Sequence, residues 1–225
     1  MKARAAFLVL TFLALAFPSS AAARPPMRYQ PDPSSVFAAE IAFNRLVRQK
    51  GQWTAFRETA AEEAVMFVPQ RVLAKQWLKG RADPPASVSW APSTIYVSCD
   101  GNLAASTGGW KRQDGSVGYF TTIWQRDKKG GWKWIMDHGD KLAVAREAPE
   151  FLVGKVATCK RRGPDGEAPP PGGKPGKGDM PPAPKDDSLS WTADVATDGS
   201  RRVTVRMWNG ADYETVIDDK VAAGG

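Results

Sequence analysis

"GWKWIMDHGD" (residues 131–140) holds two tryptophans two apart, then Met136, then the chain's one histidine. Period-two alternation puts Trp132, Trp134, Met136 and His138 on one face of a strand and Lys133, Ile135 and Asp137 on the other. The more apolar face is expected to point at a core or a pocket. His138 would then end the strand near a pocket mouth, or cap the Gly139-Asp140 turn. Asp137 would face away from the tryptophans. For it to share their side, the strand would need a bulge.

Reading outward, three strands precede this one. They are "WAPSTIYVSC" (90–99), "LAASTGGW" (103–110) and "VGYFTTIWQR" (117–126), separated by the turn signals Asp100-Gly101 and "QDGS" (113–116). Connections this short imply an antiparallel meander. Upstream, Asp32 can cap a helix whose first residue is Pro33. Val36, Ala39, Phe43, Leu46 and Val47 follow at helical spacing, and Gly51 fits the left-handed position past its end. A second helix is expected from Trp53 towards Glu62. A short strand is expected at "AVMFVP" (64–69) and a small helix at "QRVLAKQWLKG" (70–80).

Downstream, "EFLVGKVATCK" (150–160) reads as one more extended segment. Residues 163–187 hold 14 Pro or Gly among 25, the composition of a stiff linker without a core. Strand signals return at 188, with turns at Asp198-Gly199 and Asn209-Gly210. About 38 residues of three-stranded meander bury too little surface to stand alone. This piece is therefore expected to dock on the main domain, to dimerise, or to hold a partner.

The first 23 residues read as a signal peptide. Lys2 and Arg4 precede the apolar run "AAFLVLTFLALAF", and small residues end at Ala23. The run is too short to span a bilayer, so no membrane association is expected after cleavage. A periplasmic or extracellular location follows. There Cys99 and Cys159 pair as a disulfide or remain two buried thiols. Two cysteines and one histidine do not have metal-ligand spacing, and no cofactor motif is present. The formal charge of +7 falls to about +5 without Lys2 and Arg4, and its scatter among acids argues against nucleic-acid binding.

Helix, helix, strand, small helix and meander, in that order, resemble the nuclear transport factor 2-like superfamily, also called SnoaL-like. The residues carrying the resemblance are "FNRLVRQKGQWTAFRETAAEEAVMFVP" (43–69) and "GGWKWIMDHGD" (130–140), within residues 34–140. The resemblance implies an α+β fold with N-terminal helices packed on a curved antiparallel sheet and a cone-shaped pocket between them. The domains are then 1–23, a leader; 34–160, the cone domain; 163–187, the linker; and 188–225, the C-terminal β region. The resemblance also implies a small apolar ligand and allows a homodimer through the sheet's open face.

Enzymes of the family keep a carboxylate in the cone, but no Asp or Glu lies between 90 and 136 in the expected strands. The preferred reading is a binding or structural module. The alternatives are an isomerase, cyclase or hydrolase using His138 and Asp137, or an envelope-interaction module acting through the C-terminal hairpins. Trp110, Trp124, Trp132 and Trp134 are candidate pocket walls, with Tyr96, Tyr119, Gln70 and Arg71 as candidate polar contacts.

Overall fold

The computed structural model describes residues 31–159 and 186–224. Residues 1–30, 160–185 and 225, which include the expected leader and most of the expected linker, lie outside the described residues.

Helix α1 (Pro33–Lys50) begins as its sequence requires: Ser34 N–H donates to Asp32 Oδ1 at 2.9 Å. Gly51 ends it at φ 97°, its N–H donating to Val47 O. The buried stripe is Val36, Glu40, Phe43 and Val47, so one acid lies on the apolar face. Helix α2 (Gln52–Thr59) stops three residues short of expectation. At Ala60 the chain turns into β1 (Ala60–Phe67), because these residues pair with a later strand. The single helix expected over 70–80 is divided into β2 (Arg71–Leu73) and α3 (Ala74–Leu78). Val72 is drawn into a ladder opposite Met66, and tertiary pairing outweighs local propensity.

The meander forms as read: β3 (Ser89–Val97), β4 (Leu103–Lys111), β5 (Val117–Arg126) and β6 (Trp132–Leu142). A seventh strand, β7 (Val153–Val156), gives the sheet order β2-β1-β6-β5-β4-β3-β7. The sheet is mixed rather than antiparallel throughout, since β1–β6 and β3–β7 run parallel. Both parallel neighbours are distant in sequence, joined by the long connections parallel strands need. Helices α1 and α2 cover one face. Close packing there fixes some residues: a Cβ on Gly118 would meet the Trp110 ring at 2.2 Å.

The C-terminal strands β8 (Leu189–Val195), β9 (Arg201–Trp208) and β10 (Tyr213–Val221) form a separate three-stranded meander. It docks on the sheet face opposite the helices. Leu189, Val203, Val205, Met207 and Ile217 pack there with Leu103, Ala105, Ile123 and Met136. Docking, the first of the three expected outcomes, supplies the burial the small sheet lacks alone. It also occupies the face through which a homodimer was expected, so a second copy would need another surface.

The seam is pinned at one corner. Cys99 N–H donates to Ser188 Oγ at 2.8 Å, and Thr158 N–H donates to Trp208 O at 3.0 Å. Cys99 and Cys159 form a disulfide there, with Cα atoms 5.0 Å apart and a sequence separation of 60. Closing a loop of that size is worth roughly 4 kcal/mol in the chain-entropy model. Among the described residues, no helix is long and apolar enough to cross a membrane.

Candidate functional site

The ladder between β5 and β6 slips once. Trp124 pairs with Trp134, but Ile123 pairs with Met136, so Ile135 is an extra residue with no partner opposite. Alternation restarts beyond this bulge. Asp137 thereby falls on the same side as Trp134, facing the helices, and His138 falls on the other. The face assignment from unbroken period two is corrected here: Trp132 and Trp134 do not share a face with Met136 and His138.

Between the helices and this side of the sheet lies a cavity of about 390 Å³. Its apolar wall comes from Phe43 of α1, Trp53 and Phe56 of α2, Met66 of β1, Trp90 of β3, Trp110 of β4 and Phe120 of β5. Asp137 lines it, partly buried, and Thr122 Oγ1 donates to Asp137 Oδ1 at 2.6 Å. Burial pushes the Asp137 carboxyl up to about 7, the Thr122 bond opposes this, and the nearby charge of Glu40 adds to the rise.

Glu40 lies deeper, 0% exposed. Trp90 Nε1–H and Trp124 Nε1–H each donate to its carboxyl at 2.9 Å, and Ser106 Oγ–H donates as well. Burial raises its pKa, and these three donors restrain the rise. Two acids thus share the helix-facing side: Asp137, which the sequence admitted to the cone only with a bulge, and Glu40, which a search of the strands alone missed. Glu40 came from a helix, four residues after Val36 and three before Phe43. An acid on an apolar stripe was the available signal.

The His138 ring points the other way. It borders the cavity, but its side chain is 0% exposed and sits in the seam between the two sheets. Arg201 Nε–H points at Nδ1 at 3.5 Å, which makes Nε2 the donor to Asp219 Oδ2 at 3.2 Å. Burial lowers the His138 pKa against the pull of Asp219. Burial also pushes Asp219 up, but the bonds from His138, Thr121 and Arg146 outweigh it and leave its carboxyl below the ordinary value. His138 and Asp137 are neighbours in sequence that the fold does not bring together.

The other expected contacts disperse. Trp110 lines the cavity. Trp124 and Trp134 are fully buried beside it, the latter donating from Nε1 to Thr59 Oγ1 at 3.0 Å. Trp132 reaches Ser35 Oγ at 3.1 Å and lies under the Arg126 guanidinium. Tyr96 packs against the seam, and Tyr119 is in edge contact with the His138 ring. Exposed Gln70 donates to Thr197 O at 3.2 Å, and Arg71 pairs with Phe67 in the β1–β2 ladder. Among the described residues, no group of three or more His, Cys, Asp or Glu could hold a metal ion.

Two helices over a bent, bulged sheet with a hollow between them is the arrangement the sequence resemblance implied. No family model matches the sequence, and no curated protein matches it. Among solved structures, a candidate ketosteroid isomerase from Parabacteroides distasonis is similar at 18% identity and a TM-score of 0.41, covering 48% of this chain and 89% of its own. A nuclear transport factor 2-like superfamily protein from Salmonella enterica is similar at 17% and 0.37, covering 49% and 94%. The CaMKII hub of S. rosetta is similar at 19% and 0.36, covering 48% and 95%. These likenesses concern the path of the chain and carry nothing about chemistry.

Proposed function

We propose that this chain is an exported small-molecule-binding protein with an isomerase-like site. Its cone takes a small, largely apolar ligand against the aromatic wall, and Asp137 exchanges a proton or a hydrogen bond with it. The observation that supports this is the position of Asp137 in an apolar cavity, with its carboxyl titrating near neutrality. Such a group is a donor when protonated and a general base when ionised, and its pKa near 7 suits either step. A binding module without an inward carboxylate was the expectation from sequence; the bulge supplies that carboxylate. Export is supported by the leader-like first 23 residues and by the Cys99–Cys159 disulfide.

The neutral fluorophore N-phenyl-1-naphthylamine tests the reading. It should bind the wild-type protein, and Met66→Trp, which fills the cavity, should abolish binding. With 13C-labelled aspartate, the signal lost in Asp137→Asn should titrate near pH 7 and shift when the probe is added. An Asp137 midpoint in the ordinary carboxylate range, or a signal indifferent to bound probe, would refute this role.

A further inference from the structure

The cavity is not apolar at its open end. After Phe67 the strand β1 leaves β6, so the edge of β6 from Gly139 to Lys141 is free of a neighbour and forms part of the rim. Three cations line the same cavity from three elements. Arg112 follows β4, Lys141 stands on β6, and Arg201 comes from β9 of the docked C-terminal sheet. The carboxylates near them are Asp140, which lines the rim, and Asp114 in the 113–116 turn, which feels both Arg112 and Lys141. Among the described residues, none of the three cations is in an ion pair.

Arg201 is the telling member. It is 7% exposed, and its Nη2–H donates to Gly139 O at 2.7 Å across the free edge of β6. Its Nη1 has no hydrogen-bond partner. A buried guanidinium with an unused donor is costly and calls for an explanation. Tyr119 Oη, also buried, is likewise without a partner. On the other side of the rim, Arg112 lies over the Trp110 ring at 5.3 Å, held by an aromatic wall residue rather than by an acid.

We infer that the ligand of the cone is an amphiphilic anion: an aromatic or alicyclic body against the aromatic wall, with a carboxylate or sulfonate at the rim formed by Arg112, Lys141 and Arg201. This rests on the cone-binding reading above and names the ligand class for that same site. The guanidinium fork suits a planar or tetrahedral oxyanion, which would give Arg201 Nη1 the acceptor it lacks. It also gives the C-terminal sheet a role in recognition, since β9 delivers one of the three cations.

The test compares two fluorophores that differ by one sulfonate. 8-Anilinonaphthalene-1-sulfonate should bind the full chain about tenfold more tightly than N-phenyl-1-naphthylamine, the gain of one well-placed charge-assisted contact. Arg201→Gln and the exposed pair Arg112→Gln/Lys141→Gln should each remove most of that advantage and leave the neutral probe within about twofold of wild type. The exposed pair guards against a folding defect in Arg201→Gln. Equal affinities for both probes, unmoved by either set of substitutions, would overturn the anion inference and leave the cone reading standing. Sulfonate binding that survives Met66→Trp would place it outside the cone and overturn the inference too. Failure of both probes to bind would sink the cone reading itself, and the inference with it.

Discussion

The two faces of the seven-stranded sheet receive consecutive residues of one strand and treat them in opposite ways. On the seam side, His138 is enclosed and bonded to Asp219, with Arg201 alongside. On the helix side, Asp137 has one side-chain donor, Thr122, and borders a hollow of about 390 Å³. The seam uses its polar groups to join two sheets. The helix side leaves a titrating group where a ligand can reach it. The lesson is that a lone histidine in an apolar setting signals reactivity less well than an acid left short of partners, because satisfied polar groups are structural by default.

The largest expected effect lies in the seam. Val205 is 0% exposed there, and Val205→Asp would bury an unpaired charge, costing about 3–5 kcal/mol. Thermal unfolding should show the C-terminal sheet detached. If the protein melted as wild type, the two sheets would not share a core.

Next comes the helix side. Glu40→Leu strands the indole donors of Trp90 and Trp124, with a loss of about 3 kcal/mol in denaturant titrations. Glu40→Gln keeps an acceptor, and about half of that loss should return. Equal losses for Leu and Gln would mean that the negative charge, not the acceptor, holds this corner.

The smallest and most discriminating effect is the pH profile of stability. The folded-state pKa of Asp137 is raised, so its contribution is fully present below the ordinary carboxylate value and is lost as pH climbs towards about 7. Glu40 acts in the same direction. His138 is lowered: below its ordinary value the unfolded chain takes up a proton that the folded chain refuses, so stability is lost as pH falls. Asp219, also lowered, adds to the loss at lower pH still. Asp137→Asn should make the first limb shallower, to the part Glu40 contributes, and leave the acid limb as it was; His138→Gln should do the reverse. A single substitution that flattened both would erase the distinction between the faces.

Much of the scaffold was legible because its signals are local. The Asp32 cap, the Gly51 stop, the β3–β6 meander and the hairpin turns at 198–199 and 209–210 each follow from backbone preferences within a few residues. The candidate site was legible in part. Trp110 belongs to the wall and Asp137 to the interior, but Trp124, Trp134, Tyr96 and Tyr119 do not line the cavity. The faces of β6 depend on Ile135, a β-branched residue with no glycine or turn signal to mark an extra position. The phenylalanines and Trp90 of the wall read equally well as plain core. What set them apart was the space left between α2 and the sheet, which is a property of packing and not of any one residue.

The bulge at Ile135 also sets the reading frame of the active end of β6. Whether Ile135 stands outside the ladder or inside it decides which of two neighbouring ionisable groups looks into the hollow, with no change to either side chain. Drawing Ile135 into the ladder as a regular residue would turn Asp137 towards the C-terminal strands and the imidazole into the cone, whereas deleting Ile135 would leave Met136 opposite Ile123 and both groups where they are.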